Sequence, residues 1–353
     1  MLSNKKVLLS VPPYFGMDIS IARAFRKNGV EPVLAKYRLS SSFWERLIRK
    51  FMETLHCSRK AVQPLMKYPL IIENKNFIRI AEKYKPSFIF IVKGENLFPQ
   101  TIKYLKNKMK VPCISYQWDD PFYSSEDKRG IDDYRRINFE NSMHDYDQIF
   151  VFDMHYAEEI KIRGVTNVSY LPLATDEEVY RSIELTDAEK DIYGYDVCFV
   201  GMPYQNRLET LNSLKDFNIG VFGDYWERYL HKMKGNYFKG KASDEKVLKL
   251  YVASKIVLNI HHPQSVYGLN TRTFDIPSCG SFEIVDYKHG LQELFDIGKE
   301  IICYQSIDEL IDLVHYFLDH PEDRKRIAEK GYSRVRRQHT WYHRMKEVMA
   351  FSK

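Results

Sequence analysis

The chain has 353 residues, enough for two domains of ordinary size, and its 44% hydrophobic and 28% charged residues are the balance of a soluble globular protein. A core of that size needs no disulfide or metal staple, and the five cysteines (Cys57, Cys113, Cys198, Cys279 and Cys303) are odd in number, with no CxxC pair. They predict buried, reduced thiols in a reducing compartment. No apolar run is long enough to span a bilayer and no leader-like apolar stretch precedes the first strand, so the expected location is the cytoplasm.

Residues 6–10 read as a first strand, followed by a loop over 11–18 with two prolines and Gly16. Residues 19–28 read as a helix ended by Gly29, the residue type that tolerates the left-handed position past a helix end. A second strand is expected over 32–35. The formal net charge of +6 then concentrates in one place: residues 36–67 hold Lys36, Arg38, Arg46, Arg49, Lys50, Arg59, Lys60 and Lys67 against only Glu45 and Glu53. Phe43, Trp44, Leu47, Ile48, Phe51 and Leu55 fall near helical spacing opposite most of these cations. The segment reads either as a basic amphipathic helix able to lie on an anionic membrane or as an ordinary surface helix. It matches no nucleic-acid reader motif, so no nucleic-acid partner is expected. Further on, residues 77–84 are helical, and 88–92, 112–116 and 148–152 are apolar strands. Continuous apolar strands alternating with helices predict a parallel sheet covered on both faces.

The polar stretch 175–191 reads as a linker. Beyond it a second series opens with strands over 195–201, 220–223, 255–260, 282–285 and 300–304. Ile307, Leu310, Ile311, Val314, Phe317 and Leu318 form one helical face. Two successive βαβ series predict two doubly wound domains with a cleft between them.

Ligands of open α/β sheets bind outside the carboxyl ends of strands, which makes residues 255–295 the most informative stretch. Arg272 can clamp phosphate oxygens with a forked pair of hydrogen bonds. Asp275 can accept from ribose hydroxyls, or can simply pair with Arg272 three residues away on a helix. Asn270 is a donor contact or a turn residue. The amides of Gly290 and Leu291, at a helix start, can hold an anion. His261 and His262 follow a strand and can touch a donor, but they lack the further ligands a metal site requires. Arg207, after a strand ending in Gly201, is a phosphate ligand or a helix-start residue. Glu293 can accept from ribose or balance Lys299.

Three carboxylates in the first half are candidates for the catalytic base. Asp18 is one, unless it caps the helix behind it. Asp119 and Asp120 are the others, in the loop Trp118-Asp119-Asp120-Pro121, where Trp118 could stack on a sugar ring. They do not form a D-x-D metal motif, and Pro121 alone explains a turn. No Ser-His-Asp, Cys-His, Walker or GxGxxG signature appears, which weighs against a hydrolase, an NTPase or a dehydrogenase.

The run Asn270-x-Arg272-x-Phe274-Asp275-x-Pro277-x-Cys279-Gly280, then Val285-Asp286-Tyr287, Leu291-x-Glu293-Leu294-Phe295-x-x-Gly298-Lys299-Glu300, residues 320–324 and His339-Thr340-Trp341-x-x-Arg344 resemble the C-terminal domain of glycosyltransferases of the spore-maturation-protein-like group, relatives of glycosyltransferase family 4. Residues 12–16, 118–121 and 171–176 add weaker matches. The resemblance implies an α/β GT-B fold of two Rossmann-like domains. Residues 1–180 would bind an acceptor and 181–340 a nucleotide-diphosphate sugar, with a last helix over 341–353 crossing back. It implies a metal-independent glycosyltransferase without a cofactor. The acceptor would be a glycan or lipid-linked hydroxyl in bacterial cell-surface polysaccharide synthesis, with peripheral contact at the inner membrane face through residues 36–67. Family 4 relatives carry two glutamates with seven residues between them; here those positions are Tyr267 and Asp275, so retention of configuration does not carry over. Two other readings keep the fold: a nucleotide-sugar epimerase, and a non-catalytic nucleotide-binding scaffold.

Overall fold

Among the described residues the apolar runs form two separate parallel sheets of six strands each. The computed structural model describes residues 5–37, 59–122 and 133–351, together with Leu47. The chain divides into two units, residues 1–171 with 345–353, and residues 172–344. Most of the basic 36–67 segment lies outside the described residues.

In the first unit the strands β1 (Lys6–Ser10), β2 (Glu31–Leu34), β3 (Phe88–Val92), β4 (Cys113–Gln117), β5 (Gln148–Val151) and β6 (Val168–Tyr170) order as β2-β1-β3-β4-β5-β6, all parallel. Helices α1 (Met17–Lys27), α2 (Arg59–Tyr84), α3 (Pro99–Asn107), α4 (Asp133–Ser142) and α5 (Met154–Ile162) connect them. Every residue of β3 is buried, as a strand covered on both faces must be. Phe25 of α1 meets Phe88 and Phe90 edge-on, at 5.8 and 5.6 Å between ring centres. α1 is followed by Gly29 at φ 79°, the left-handed position expected of a glycine there.

In the second unit β7 (Val197–Val200), β8 (Ile219–Phe222), β9 (Phe238–Gly240), β10 (Ile256–Asn259), β11 (Glu283–Asp286) and β12 (Ile302–Tyr304) order as β12-β11-β10-β7-β8-β9. Its helices are α6 (Asp187–Tyr193), α7 (Gln205–Ser213), α8 (Asp244–Ala253), α9 (Arg272–Ser278), α10 (Leu291–Leu294), α11 (Ile307–Asp319) and α12 (Pro321–Gln338). A last helix, α13 (Trp341–Ala350), begins in the second unit and ends in the first. The strand order reverses between β7 and β10, and that reversal opens a crevice where the two following loops part. Leu310, Val314 and Phe317 of α11 pack on this sheet, Phe317 at 4.6 Å from the Phe282 ring.

The expected linker over 175–191 is structured instead. Thr175 and Asp176 are buried, Thr175 bridges to Thr340, and α6 begins at residue 187. The start of α6 is a reciprocal capping box, Thr186 with Glu189, a T-x-x-E signature visible in the sequence. Cys113, Cys198 and Cys279 are buried free thiols, and Cys303 is a half-buried one. No described helix is long and apolar enough to cross a membrane.

Candidate functional site

The loops after β7 and β10 lie side by side where the strand order of the second unit reverses. Arg207, on α7, closes the gap between these two strands. Its Nε and Nη2 donate to the Ile260 carbonyl at 3.1 and 2.8 Å, and its Nη1 donates to the Met202 carbonyl at 2.9 Å. The side chain is buried between the Phe199 and Tyr204 rings. Burial and then the nearby Arg272 cation lower its pKa to about 9. Three of its N–H groups hold main chain, so it is a brace rather than the phosphate ligand the sequence suggested. Gly201 is part of the same packing. A Cβ there would lie 3.0 Å from the Phe199 ring, and its carbonyl accepts from the Trp226 indole at 2.7 Å.

Asn259 ends β10 and organises the polar side chains beyond it. It exchanges two amide hydrogen bonds with Asn270, at 2.9 and 3.1 Å, and accepts from Arg272 Nε at 3.3 Å. Asn270 also accepts from the Thr273 amide at 3.2 Å, the turn role open to it in the sequence. The Arg272 side chain is half-buried at the start of α9. Among the described residues its two terminal nitrogens have no hydrogen-bond partner, and no ion pair joins it to Asp275. It also weighs electrostatically on Arg207, Asp275 and Glu283, which places one guanidinium among all three.

Asp275 is only 5% exposed. Burial pushes its carboxyl up to about 8, opposed by Thr175, Arg272 and Thr271. It faces the interior of the unit and does not present an open carboxylate to a ribose. His261 donates from its amide and from Nδ1 to Asp286 Oδ1, both at 2.7 Å, while its buried Nε2 has no partner among the described residues. Burial alone would raise the Asp286 pKa, but His261 and Lys288 hold it below the ordinary value. His262 lies edge-on to Tyr204 at 4.2 Å and accepts from the Gln264 amide at 3.1 Å.

The expected anion site at the start of α10 is filled by the protein itself. The Gly290 amide donates to the Tyr267 carbonyl at 3.1 Å and the Leu291 amide to the Lys288 carbonyl at 2.9 Å. A Cβ at residue 290 would lie 2.7 Å from the Tyr267 carbonyl oxygen, so glycine is there to admit that loop. Glu293 is exposed, and Lys299 pairs with Asp296 at 2.9 Å instead.

In the first unit the reversal lies between β1 and β3. Lys93 follows β3 with φ 65°, a left-handed conformation that a side-chain-bearing residue adopts at some strain, and Gly94 continues it at 73°. Lys93 Nζ meets Asp119 at 3.1 Å and Glu95 at 3.3 Å. Burial works to lower the Lys93 pKa, but Asp119, Glu95 and Tyr14 outweigh it and hold it above its usual value. Asp120 accepts from the Phe122 amide at 2.8 Å, the turn role, and Trp118 is buried, so its ring is not offered to a sugar. Asp18 is the second residue of α1; Gly16 takes the cap position and no side chain caps the helix. An acid in the first turn is stabilising there in any case.

Sequence reasoning missed Asn259, Glu283 and Lys93. The signal for the first two was a polar residue inside an apolar strand, which a core tolerates only with partners. Among the described residues no three His, Cys, Asp or Glu side chains group as metal ligands.

Residues 205–350 match the family described as glycosyl transferase-like. The chain is 22% identical over 269 residues to the spore protein CgeB of Bacillus subtilis (strain 168), covering 71% of this chain and 78% of that protein. Sucrose-phosphate synthase from Thermosynechococcus elongatus superposes with a TM-score of 0.66 at 13% identity, covering 99% of this chain and 98% of that one. Anabaena Alr3699/HepE in complex with UDP-glucose does so with a TM-score of 0.61 at 11% identity, covering 98% of both chains. The chain therefore has the α/β fold of the GT-B glycosyltransferases, with a glycosyl transferase-like domain over residues 205–350.

Proposed function

We propose that the protein transfers a sugar from a nucleotide-diphosphate donor to a hydroxyl of a glycan or lipid-linked acceptor, in bacterial cell-surface polysaccharide synthesis. The observation that carries this reading is Arg272. It stands at the carboxyl edge of the second sheet, held at Nε by Asn259, with both terminal nitrogens lacking a protein partner among the described residues. A planar fork presented in that way suits two phosphate oxygens. Charge developing on a departing diphosphate would be stabilised by Arg272, in a crevice whose walls Arg207 keeps rigid, without a metal. The second unit would take the donor and the first the acceptor. There Asp119, 41% exposed and held by Lys93, is the carboxylate best placed to orient or deprotonate a hydroxyl. Contact with an anionic membrane through residues 36–67 belongs to the same proposal.

The test is a thermal-shift screen with UDP, GDP, dTDP, ADP and CMP, since a ligand of the native state raises its stability. The complexes of Anabaena HepE with UDP and with UDP-glucose make UDP the first choice. At least one nucleotide should stabilise the protein, and Arg272→Ala should abolish the effect with the fold intact. Failure of all five would remove the donor reading. Nucleotide binding without sugar transfer would favour the scaffold reading, and inversion of the sugar without an acceptor the epimerase.

A further inference from the structure

The sheet beneath Arg272 contains two polar residues in otherwise apolar strands. Asn259 and Glu283 are both buried. Glu283 pairs in register with Val257, two residues before Asn259, so the side chains of 259 and 283 leave the same face of the sheet. Asn259 Nδ2 donates to Glu283 Oε1 at 2.8 Å and lies 3.1 Å from Thr273 Oγ1. The other Glu283 oxygen, Oε2, is buried without a partner among the described residues.

An asparagine amide has a donor end and an acceptor end, and its neighbours decide which way it faces. A guanidinium can only donate, so Arg272 needs the oxygen of Asn259. The bonds from Nδ2 to Glu283, Asn270 and Thr273 turn that oxygen toward Arg272 Nε, and the Glu283 bond at 2.8 Å is the shortest of the three. Without an acceptor at residue 283 the amide nitrogen keeps only its two longer bonds, to Asn270 and Thr273 at 3.1 Å each, and the oxygen that faces the cation is held less firmly. A buried carboxyl is also costly to retain in a core, where an apolar side chain of similar volume would be at least as stable.

We propose that Glu283, acting through Asn259, is a positioning residue for Arg272: it orients the amide that holds the guanidinium, and so aims the two terminal nitrogens at a diphosphate. This rests on Arg272 being the diphosphate grip. Burial also lifts the Glu283 carboxyl well above the ordinary range, against the pull of Asn259 and Arg272. A carboxyl oxygen accepts at Oε1, as a glutamine carbonyl would; leucine offers no acceptor.

The experiment is calorimetric titration with inorganic pyrophosphate, a probe indifferent to base and sugar, beside urea melts of each variant. Arg272→Ala should weaken binding roughly 10- to 100-fold, the range of a lost charge-assisted contact. Glu283→Leu should weaken it roughly tenfold and Glu283→Gln by less than about threefold, and the Arg272→Ala/Glu283→Leu double variant should bind no worse than Arg272→Ala alone, because both changes remove one interaction. If Glu283→Leu does not fold, Asn259→Ser should show the same tenfold loss. Wild-type affinity in Glu283→Leu, or a loss that adds fully to that of Arg272→Ala, overturns the positioning role and leaves the grip standing. Wild-type affinity in Arg272→Ala overturns the grip itself.

Discussion

Replacing Asp275 by Asn removes an ionisable group from the interior of the second unit at almost constant shape. Burial pushes the Asp275 carboxyl from its ordinary 3.8 to about 8. The groups that face it are Arg272 and Thr271 at the start of α9, Thr175 and Asp176 from the segment before α6, Tyr251 on α8, Cys279 after α9, and Glu283 on β11. In the unfolded chain this carboxyl loses its proton near its ordinary value, whereas the folded chain keeps it to about 8. Folding between those two values takes up a proton, so its contribution to stability is present in acid, falls as pH rises through the window, and levels off above it. A gap of about four pH units corresponds to roughly 5 kcal/mol. Relaxation around Arg272 reduces this, and ~2–4 kcal/mol is the expected size. Asparagine has no proton to lose. The advantage of Asp275→Asn over the wild type should therefore grow from near zero at about pH 4 to ~2–4 kcal/mol at about pH 9. Urea melts across that range, with the slope checked for constancy, measure it directly. A difference independent of pH, or a variant weakest at high pH, would mean that Asp275 is ionised against Arg272 and would refute the reasoning.

Arg207→Met removes three hydrogen bonds to the main-chain carbonyls of Ile260 and Met202 and should cost about 3 kcal/mol in urea melts, while leaving pyrophosphate affinity within roughly threefold. Normal stability with lost affinity would make Arg207 a ligand contact after all. Lys93→Met leaves Glu95 and Asp119 facing each other without their shared cation. Because Asp119 is 41% exposed and screened, the loss should be about 1–2 kcal/mol in urea melts near neutral pH, and smaller at high salt. Gly290→Ala drives a methyl group to 2.7 Å from the Tyr267 carbonyl and should lower stability by about 1–3 kcal/mol, read as a lower melting temperature.

Local pattern was sufficient for most of the fold. Apolar runs such as Phe88–Val92 and Ile256–Asn259 are legible because a parallel strand buried on both faces must be apolar nearly throughout. The strands β6 and β9 were not, since their three residues, VSY and FKG, are not a continuous apolar run; the equally short β12 was legible because it lies in the apolar run 301–304. The amphipathic face of α11 and the glycine after α1 were readable for the same local reasons.

Chemistry was legible as residue type and place in the chain, but not as partner. Arg272 could be singled out from its position after a strand, yet nothing in its neighbours shows that Asn259 holds it or that Glu283 orients Asn259, because that contact joins β10 to β11 across 24 residues of chain. Arg207 looked equally suited to a phosphate, and only the β7–β10 adjacency gives its guanidinium the Ile260 carbonyl instead. Gly290 looked like an anion cradle until the Tyr267 loop was seen to occupy its amide. Sequence by itself determined the two βαβ series and the edge at which each would present its loops. Tertiary structure decided which polar groups there satisfy one another and which remain for a ligand, because hydrogen-bond partners are set by distance in space and not along the chain.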